Sequence, residues 1–339
     1  MERIALILLV FILLMNGRHP QNVPPPPAGR IMVHAQPIPL DPADPSRTML
    51  GELRYLAGWV LTSPHREFGG ISSLSVDDGG MVTALNDGSG VAIFPARSGD
   101  VQGYFRLLPR LKSATGRYPF RLDTESMAHD PATGQRWVGI ESDNMICRYS
   151  RGFGRAERCA RSAAQARWPS RTGMESLARL MDGRFLAIAE EAPGPQGRGH
   201  DVLLFAGDPA GAATPPPLRL SYVAPQGYRP TDAVAISGDT LLVLNRRLTL
   251  ADMFTGVLML VDIGDLHAGA VLRGREVARL AAPAPHDNFE GLAMSREGGR
   301  PILWVASDDN NLFFQRSLLL KFAMPDTWFR DAREDRHRP

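Results

Sequence analysis

Five stretches of the chain repeat one pattern of apolar and polar positions. Each is a short strand of small and apolar residues, then a turn bearing Gly or Asp, then a more apolar strand that ends in acidic or amide residues. The stretches are Phe68–Asp87, Asp123–Asp143, Gly173–Glu191, Arg229–Arg247 and Asn288–Asp309, recurring about every 50 to 58 residues. Further strand-like runs follow the hairpins, such as Val91–Pro95 with Val101–Leu107, and Val202–Phe205 with Leu218–Val223, which makes four strands per unit. The last copy is one strand short, because only Ser317–Phe322 follows it. Leu53–Leu61, ahead of the first copy, has no local partner and can supply the missing strand. The expected fold is therefore an all-β propeller of five four-stranded blades, with six as the alternative, closed into a ring by this N-terminal strand pairing with the last blade and so leaving few exposed sheet edges. An open sandwich has the same strand content but leaves the period unexplained. No sustained helical periodicity supports an α/β fold.

Outside the repeats, Ile4 to Met15 form an apolar run that breaks at Asn16 and Gly17. As a helix it would rise about 18 Å, short of a hydrocarbon core of about 30 Å. Residues 1–17 are expected to be a signal peptide, or a membrane tether through residues 4–15. The best small-residue cleavage pattern is Val33-His34-Ala35. Residues 18–50 read as a Pro-rich linker, 51–323 as the propeller domain and 324–339 as a polar tail. Cys147 and Cys159 fall opposite each other in a hairpin folded about Phe153, close enough for a disulfide, which suits an oxidising compartment. The expected location is the periplasm or outside the cell, with inner-membrane anchoring if the N-terminal segment is retained. The formal net charge is only +2, and just Lys112 and Lys321 are lysines. Basic residues are scattered rather than collected in a stripe, so no nucleic acid is expected as a partner.

The chemistry is expected where the hairpins end. In an antiparallel hairpin, residues whose numbers share one sum face each other. That places Glu125 opposite Glu141, Glu175 opposite Glu190, Asp232 opposite Asn245, Glu290 opposite Asp308, and Gly70 opposite Asn86 or Asp87. The first strand of each propeller blade lines the central channel, so these pairs would meet at one mouth. Carboxylates gathered there repel unless they are protonated, bonded to Arg or bridged by a cation. A hard divalent ion such as calcium suits an oxygen-only set, while Arg229, Arg246 and Arg247 are alternative counter-charges. Equally, acidic residues repeated near turns can bond backbone N–H groups of the next blade and hold the ring together.

The segments Phe68-Gly-Gly-Ile-Ser, Asp123-Thr-Glu-Ser-Met, Gly173-Met-Glu-Ser-Leu, Pro230-Thr-Asp-Ala, Asn288-Phe-Glu-Gly-Leu and Asp308-Asp-Asn together resemble the phytase-like family described by an esterase-like activity of phytase. The resemblance runs from about Gly51 to Phe322. It implies a propeller and hydrolysis of phosphoesters. Its acidic set carries over onto Glu125, Glu175, Asp232 and Glu290, with Gly70 breaking the series in the first copy. The expected function is thus hydrolysis of a small-molecule phosphoester or carboxylic ester by a monomer. Glu175 and Glu290 are the candidate catalytic residues, and Glu125, Glu141, Glu190, Asp232, Asn245 and Asp308 the candidate calcium ligands. The alternative is a non-catalytic propeller that binds a ligand or protein partner.

Overall fold

The computed structural model describes residues 27–109 and 122–329. The expected signal or tether at 1–17 and the end of the C-terminal tail lie outside the described residues. Among the described residues, no helix is long and apolar enough to cross a membrane.

Among the described residues, regular structure is strand, apart from four short 3-10 turns. Hydrogen bonding sorts the strands into four-stranded antiparallel groups, each beginning with a repeat hairpin. The first is Ile71–Val76, Met81–Asn86, Gly90–Pro95 and Gly99–Leu107; the second is Thr124–His129, Arg136–Ile140, Met145–Tyr149 and Ala156–Ala160. The third is Met174–Arg179, Phe185–Pro193, His200–Phe205 and Leu218–Tyr222, to which the two-residue strand Val271–Leu272 adds in parallel. The fourth is Arg229–Ala235, Thr240–Thr249, Met253–Asp262 and Gly274–Leu280. The fifth is Asn288–Glu297, Arg300–Asp308 and Ser317–Ala323, completed by Leu53–Thr62. That N-terminal strand runs antiparallel to Ser317–Ala323, with Leu61 opposite Ser317 and Trp59 opposite Leu319, as the unpaired apolar run predicts.

The inner strands of the groups pack side by side in a closed cycle, with Ile71–Val76 touching both Thr124–His129 and Asn288–Glu297. Apolar side chains fill each gap between neighbours, giving a separate core at every interface. Between the first and second groups, for example, Leu85 and Val91 meet Val138 and Ile140, all fully buried. The fold is an all-β propeller. A strand buried on both faces is apolar in a near-continuous run, which is why Leu241–Leu244 and Ile302–Ala306 carry no polar residue.

Two segments depart from expectation. Residues 18–50, read as a linker, contain the strand Gly29–Pro37, which pairs with Leu53–Thr62 on one side and Gly99–Leu107 on the other. It joins the first and last groups into one ten-stranded sheet. Val33 and Ala35 of the supposed cleavage pattern lie buried within it. Its alternating small and apolar residues were masked by the prolines around it. Likewise, the tail expected to be polar from 324 begins with a docked turn: Trp328 is buried against the core between the fourth and fifth groups and donates its indole N–H to Glu52 Oε2 at 2.8 Å.

The expected disulfide is formed. Cys147 and Cys159 are directly opposed in the outer hairpin of the second group, with Cα atoms 4.0 Å apart.

Candidate functional site

Every repeat hairpin contains a bulge at the same place. The ladder passes from Ile71 to Ser73, from Thr124 to Ser126, from Met174 to Ser176, from Pro230 to Asp232 and from Phe289 to Gly291, skipping one residue each time. A bulge turns an extra residue out of the regular alternation. The equivalent skipped residues are Ser72, Glu125, Glu175, Thr231 and Glu290. The fourth copy therefore contributes Thr231, not Asp232, and the first contributes Ser72, not Gly70. Pairing by equal sums is exact only on an unbroken ladder, so the bulge displaces the expected partners.

Just past the bulge, the second strand of each hairpin places a charged residue opposite the start of the first. Asp87, Glu141 and Glu190 donate their backbone N–H to the carbonyls of Gly70, Asp123 and Gly173 at 3.0, 2.8 and 3.1 Å. Arg246 pairs with Arg229, and Asp308 with Asn288. Four carboxylates and one guanidinium thus occupy equivalent positions, and the fourth group is the exception.

The two sets of residues meet. Arg246 donates to Glu290 in the fifth group, to Asn288 Oδ1 at 2.5 Å, and to Glu190 in the third group at 3.2 Å. Arg229 reaches Glu191 at 2.5 Å. Glu141 accepts the Gly173 N–H at 3.2 Å, which ties the second group to the third beside Glu175. Asp309 accepts the Gly70 N–H at 3.0 Å, joining the fifth group to the first. One acidic rim therefore surrounds the end of the inner strands where the hairpin ladders terminate.

Its electrostatics follow from burial. Glu125 is pushed well above the usual carboxylate range, first by burial and then by Asp123, Glu175, Glu141 and Glu290. Burial, Glu190 and Glu141 do the same to Glu175. Glu141 is pushed up to about 8, by burial and by Asp123. Burial, then Glu290 and Asp87, raise Asp308. Glu290 is also raised by burial, but Arg246 and Asn288 oppose the shift. Burial alone would lower Arg246; Glu290, Glu190, Glu175 and Asp308 instead hold it firmly protonated. Arg246 is thus the counter-ion for the part of the rim built from the third, fourth and fifth groups.

On the other part of the rim, one oxygen each from Asp123, Glu125 and Glu141 lies within 4.8 Å of the others. Oxygens bound to one calcium at about 2.3–2.6 Å can be no more than about 5 Å apart, so this set fits such an ion. All of its donors are hard oxygens, as calcium or magnesium prefers.

Of the residues expected at the site, Glu125, Glu141, Glu175, Glu190, Glu290 and Asp308 converge. Two do not. Asp232 Oδ1 accepts the Ala233 N–H at 2.8 Å and Oδ2 accepts the Leu292 N–H at 2.7 Å, so its oxygens serve the backbone of its own and the next strand. Asn245 is fully buried, accepting from the Tyr222 hydroxyl at 3.0 Å and donating to the carbonyls of Val243 and Val257. Both side chains are thus committed to partners within the sheets rather than to the acidic rim. Glu190 and Glu290 are engaged by Arg246 and lie outside the Asp123–Glu125–Glu141 set. Asp123 was missed, although the motif Asp123-Thr-Glu contains it, because the alignment centred on the repeated Glu.

The remaining skipped residues act as clasps between neighbours. Ser72 Oγ donates to the Thr124 carbonyl at 2.6 Å, and Thr231 Oγ1 to the Phe289 carbonyl at 3.1 Å. Each thereby ties one inner strand to the next.

Comparison with known proteins gives one family. The family described as "Phytase-like: Esterase-like activity of phytase" matches residues 66–311, which is more than half of the chain. No curated protein matches. Among solved structures, glutaminyl cyclase of Myxococcus xanthus is 9% identical with a TM-score of 0.45, over 81% of this chain and 97% of that one. A luciferin-regenerating enzyme is 10% identical with a TM-score of 0.44, over 84% and 95%. The Myceliophteria thermophila Cps50 (Swd1) beta-propeller domain is 10% identical with a TM-score of 0.35, over 88% and 100%.

Proposed function

Because the chain belongs to the phytase-like family, described by an esterase-like activity of phytase, we propose that it hydrolyses phosphoester or carboxylic ester bonds at the acidic rim, with a divalent cation of the calcium type. The observation that carries this reading is the approach of Asp123, Glu125 and Glu141 to within 4.8 Å of one another, with burial and mutual repulsion raising the last two. Carboxylates so arranged are unfavourable as anions until a cation joins them.

Asp123, Glu125 and Glu141 would hold the ion, which when bound polarises an ester oxygen and acidifies water. Glu175, which burial, Glu190 and Glu141 push well above the usual carboxylate range, is the first candidate for proton transfer with water at the rim. Glu290, steadied by Arg246 and Asn288, is the second candidate for proton transfer. Arg246 orients both Glu190 and Glu290 and so fixes this part of the rim. The Cys147–Cys159 bridge supports export to the periplasm or beyond, since disulfides persist in oxidising compartments.

The test pairs calorimetric titration of calcium with assays on p-nitrophenyl phosphate, bis-p-nitrophenyl phosphate and short acyl esters. Calcium-dependent turnover that falls in Glu175→Gln and Glu290→Gln is the expected result. Calcium binding without turnover of any of these substrates would instead favour a non-catalytic ligand-binding propeller.

A further inference from the structure

The loop that leaves the rim at Asp308 carries the most exposed large apolar side chain of the described residues: Phe313 is 99% exposed, and its neighbour Phe314 is 39% exposed. Their rings meet edge to face, with centroids 5.3 Å apart. Solvating a whole aromatic side chain forgoes the burial that normally places it inside a fold. A floppy loop would fold such a residue back onto the surface, but this loop is tied at many points.

Asp308 Oδ1 accepts the Asn310 N–H at 2.6 Å, and Asp309 Oδ1 accepts the Asn311 N–H at 3.0 Å. Asn310 and Asn311 both adopt the left-handed conformation, at φ 47° and 54°, which Asn tolerates better than most residues. The Leu312 N–H donates to the Asp309 carbonyl at 2.7 Å and the Gln315 N–H to the Leu312 carbonyl at 3.0 Å. The side chains of Asn310 and Gln315 bond at 3.0 Å, and Ser317 Oγ donates to Asp309 at 2.7 Å. Asp309 also accepts the Gly70 N–H, which seats the base of the loop on the rim between the fifth and first groups. Asp308 is itself one of the charged residues at the five equivalent rim positions. The same short segment therefore contributes a carboxylate to the rim and, five residues further along, carries an exposed aromatic pair.

We propose, building on the hydrolase reading above, that Phe313 is a specificity-determining residue: the ester taken at the rim carries an apolar acyl or aryl group, and that group rests on the Phe313–Phe314 pair while the reacting group lies among the carboxylates. Rigid aromatic surface at the edge of a polar site gives contact area with little loss of side-chain freedom.

The test measures binding rather than turnover, so it stands apart from the hydrolase reading. Methyl phenylphosphonate and methyl methylphosphonate each carry one negative charge and differ only in the apolar group. They are titrated by calorimetry, in calcium buffer, into the full chain and into Phe313→Ser. Wild-type protein is expected to bind the phenyl compound about tenfold more tightly, the gain from covering roughly 60 Å² of apolar surface. In Phe313→Ser the ratio should fall close to one, with the melting temperature unchanged because Phe313 packs against little else. An equal preference in both proteins overturns the proposal, as does failure of wild-type protein to bind either compound. Loss of the hydrolase reading would show differently, as phenyl-selective binding without turnover of bis-p-nitrophenyl phosphate.

Discussion

Asp232 accepts the backbone N–H of Leu292 at 2.7 Å, so a carboxylate in the repeated acidic motif acts as a tie between the inner strands of the fourth and fifth groups. Its other oxygen takes the Ala233 N–H. Asp232→Ala would leave two buried donors unsatisfied, at a cost of about 1–3 kcal/mol each. Urea denaturation should show a clearly lower midpoint, while calcium affinity stays at the wild-type value. A loss of calcium binding in a folded Asp232→Ala protein would return this residue to the cation site.

The metal-free protein should become less stable as pH rises from about 6.8 to 8.5. Glu141 ionises near 4.5 in an unfolded chain but is pushed up to about 8 in the fold, and burial raises Glu125, Glu175 and Asp308 in the same direction. Between those values the folded state keeps protons that the unfolded state has released, so unfolding gains as pH rises. His129 works the other way, being held down to about 4 by burial and by Arg136, but its effect is confined to pH below its ordinary value of 6.5. Urea midpoints with a chelator present at pH 6.8 and 8.5 check the sign, and calcium should restore the loss. A midpoint that rises with pH in chelator contradicts the electrostatic account of the rim.

Replacing Arg246 with Met removes the counter-charge shared by Glu190 and Glu290. Breaking a buried pair from one side costs about 3–5 kcal/mol, because the partners remain. Arg246→Lys retains the charge without the planar fork that reaches both groups, so it should recover only part of the stability. Thermal melts of the two variants side by side give the comparison, and equal melting temperatures for Arg246→Met and wild type would remove Arg246 from its role.

A chain beginning at Ile38 should melt well below one beginning at Ala28. The difference is the strand Gly29–Pro37, which buries Ile31 and Val33 and pairs on both edges. Each of those side chains is worth about 1.5–3 kcal/mol of burial. Identical melting curves would mean that the strand adds nothing to the closed ring.

The repeat period and the unpaired run Leu53–Leu61 made the propeller and its closure legible in the sequence, because both are facts of spacing and pairing. The identity of the rim residues was legible only to within one or two positions. A bulge shifts which side chain leaves the ladder, and its presence depends on the register that the assembled sheet adopts. Hence the repeated acid and the skipped residue coincide at Glu125, Glu175 and Glu290, whereas in the fourth and first copies the skipped residues are Thr231 and Ser72, beside the expected Asp232 and Gly70. Asp232 and Glu175 look alike in the motif, and only the partner strand distinguishes a ligand from a tie. Arg246 was visible as a counter-charge but not as the positional equivalent of Glu141 and Glu190.

The skipped residue of each hairpin belongs to neither the ladder nor the apolar filling between groups. In this one chain it is Ser or Thr twice and Glu three times, over hairpins of the same register. Such a place can exchange a clasp for a charge without re-threading a strand. The propeller thus carries, at five equivalent places around one opening, either a tie between neighbouring inner strands or a carboxylate of the rim.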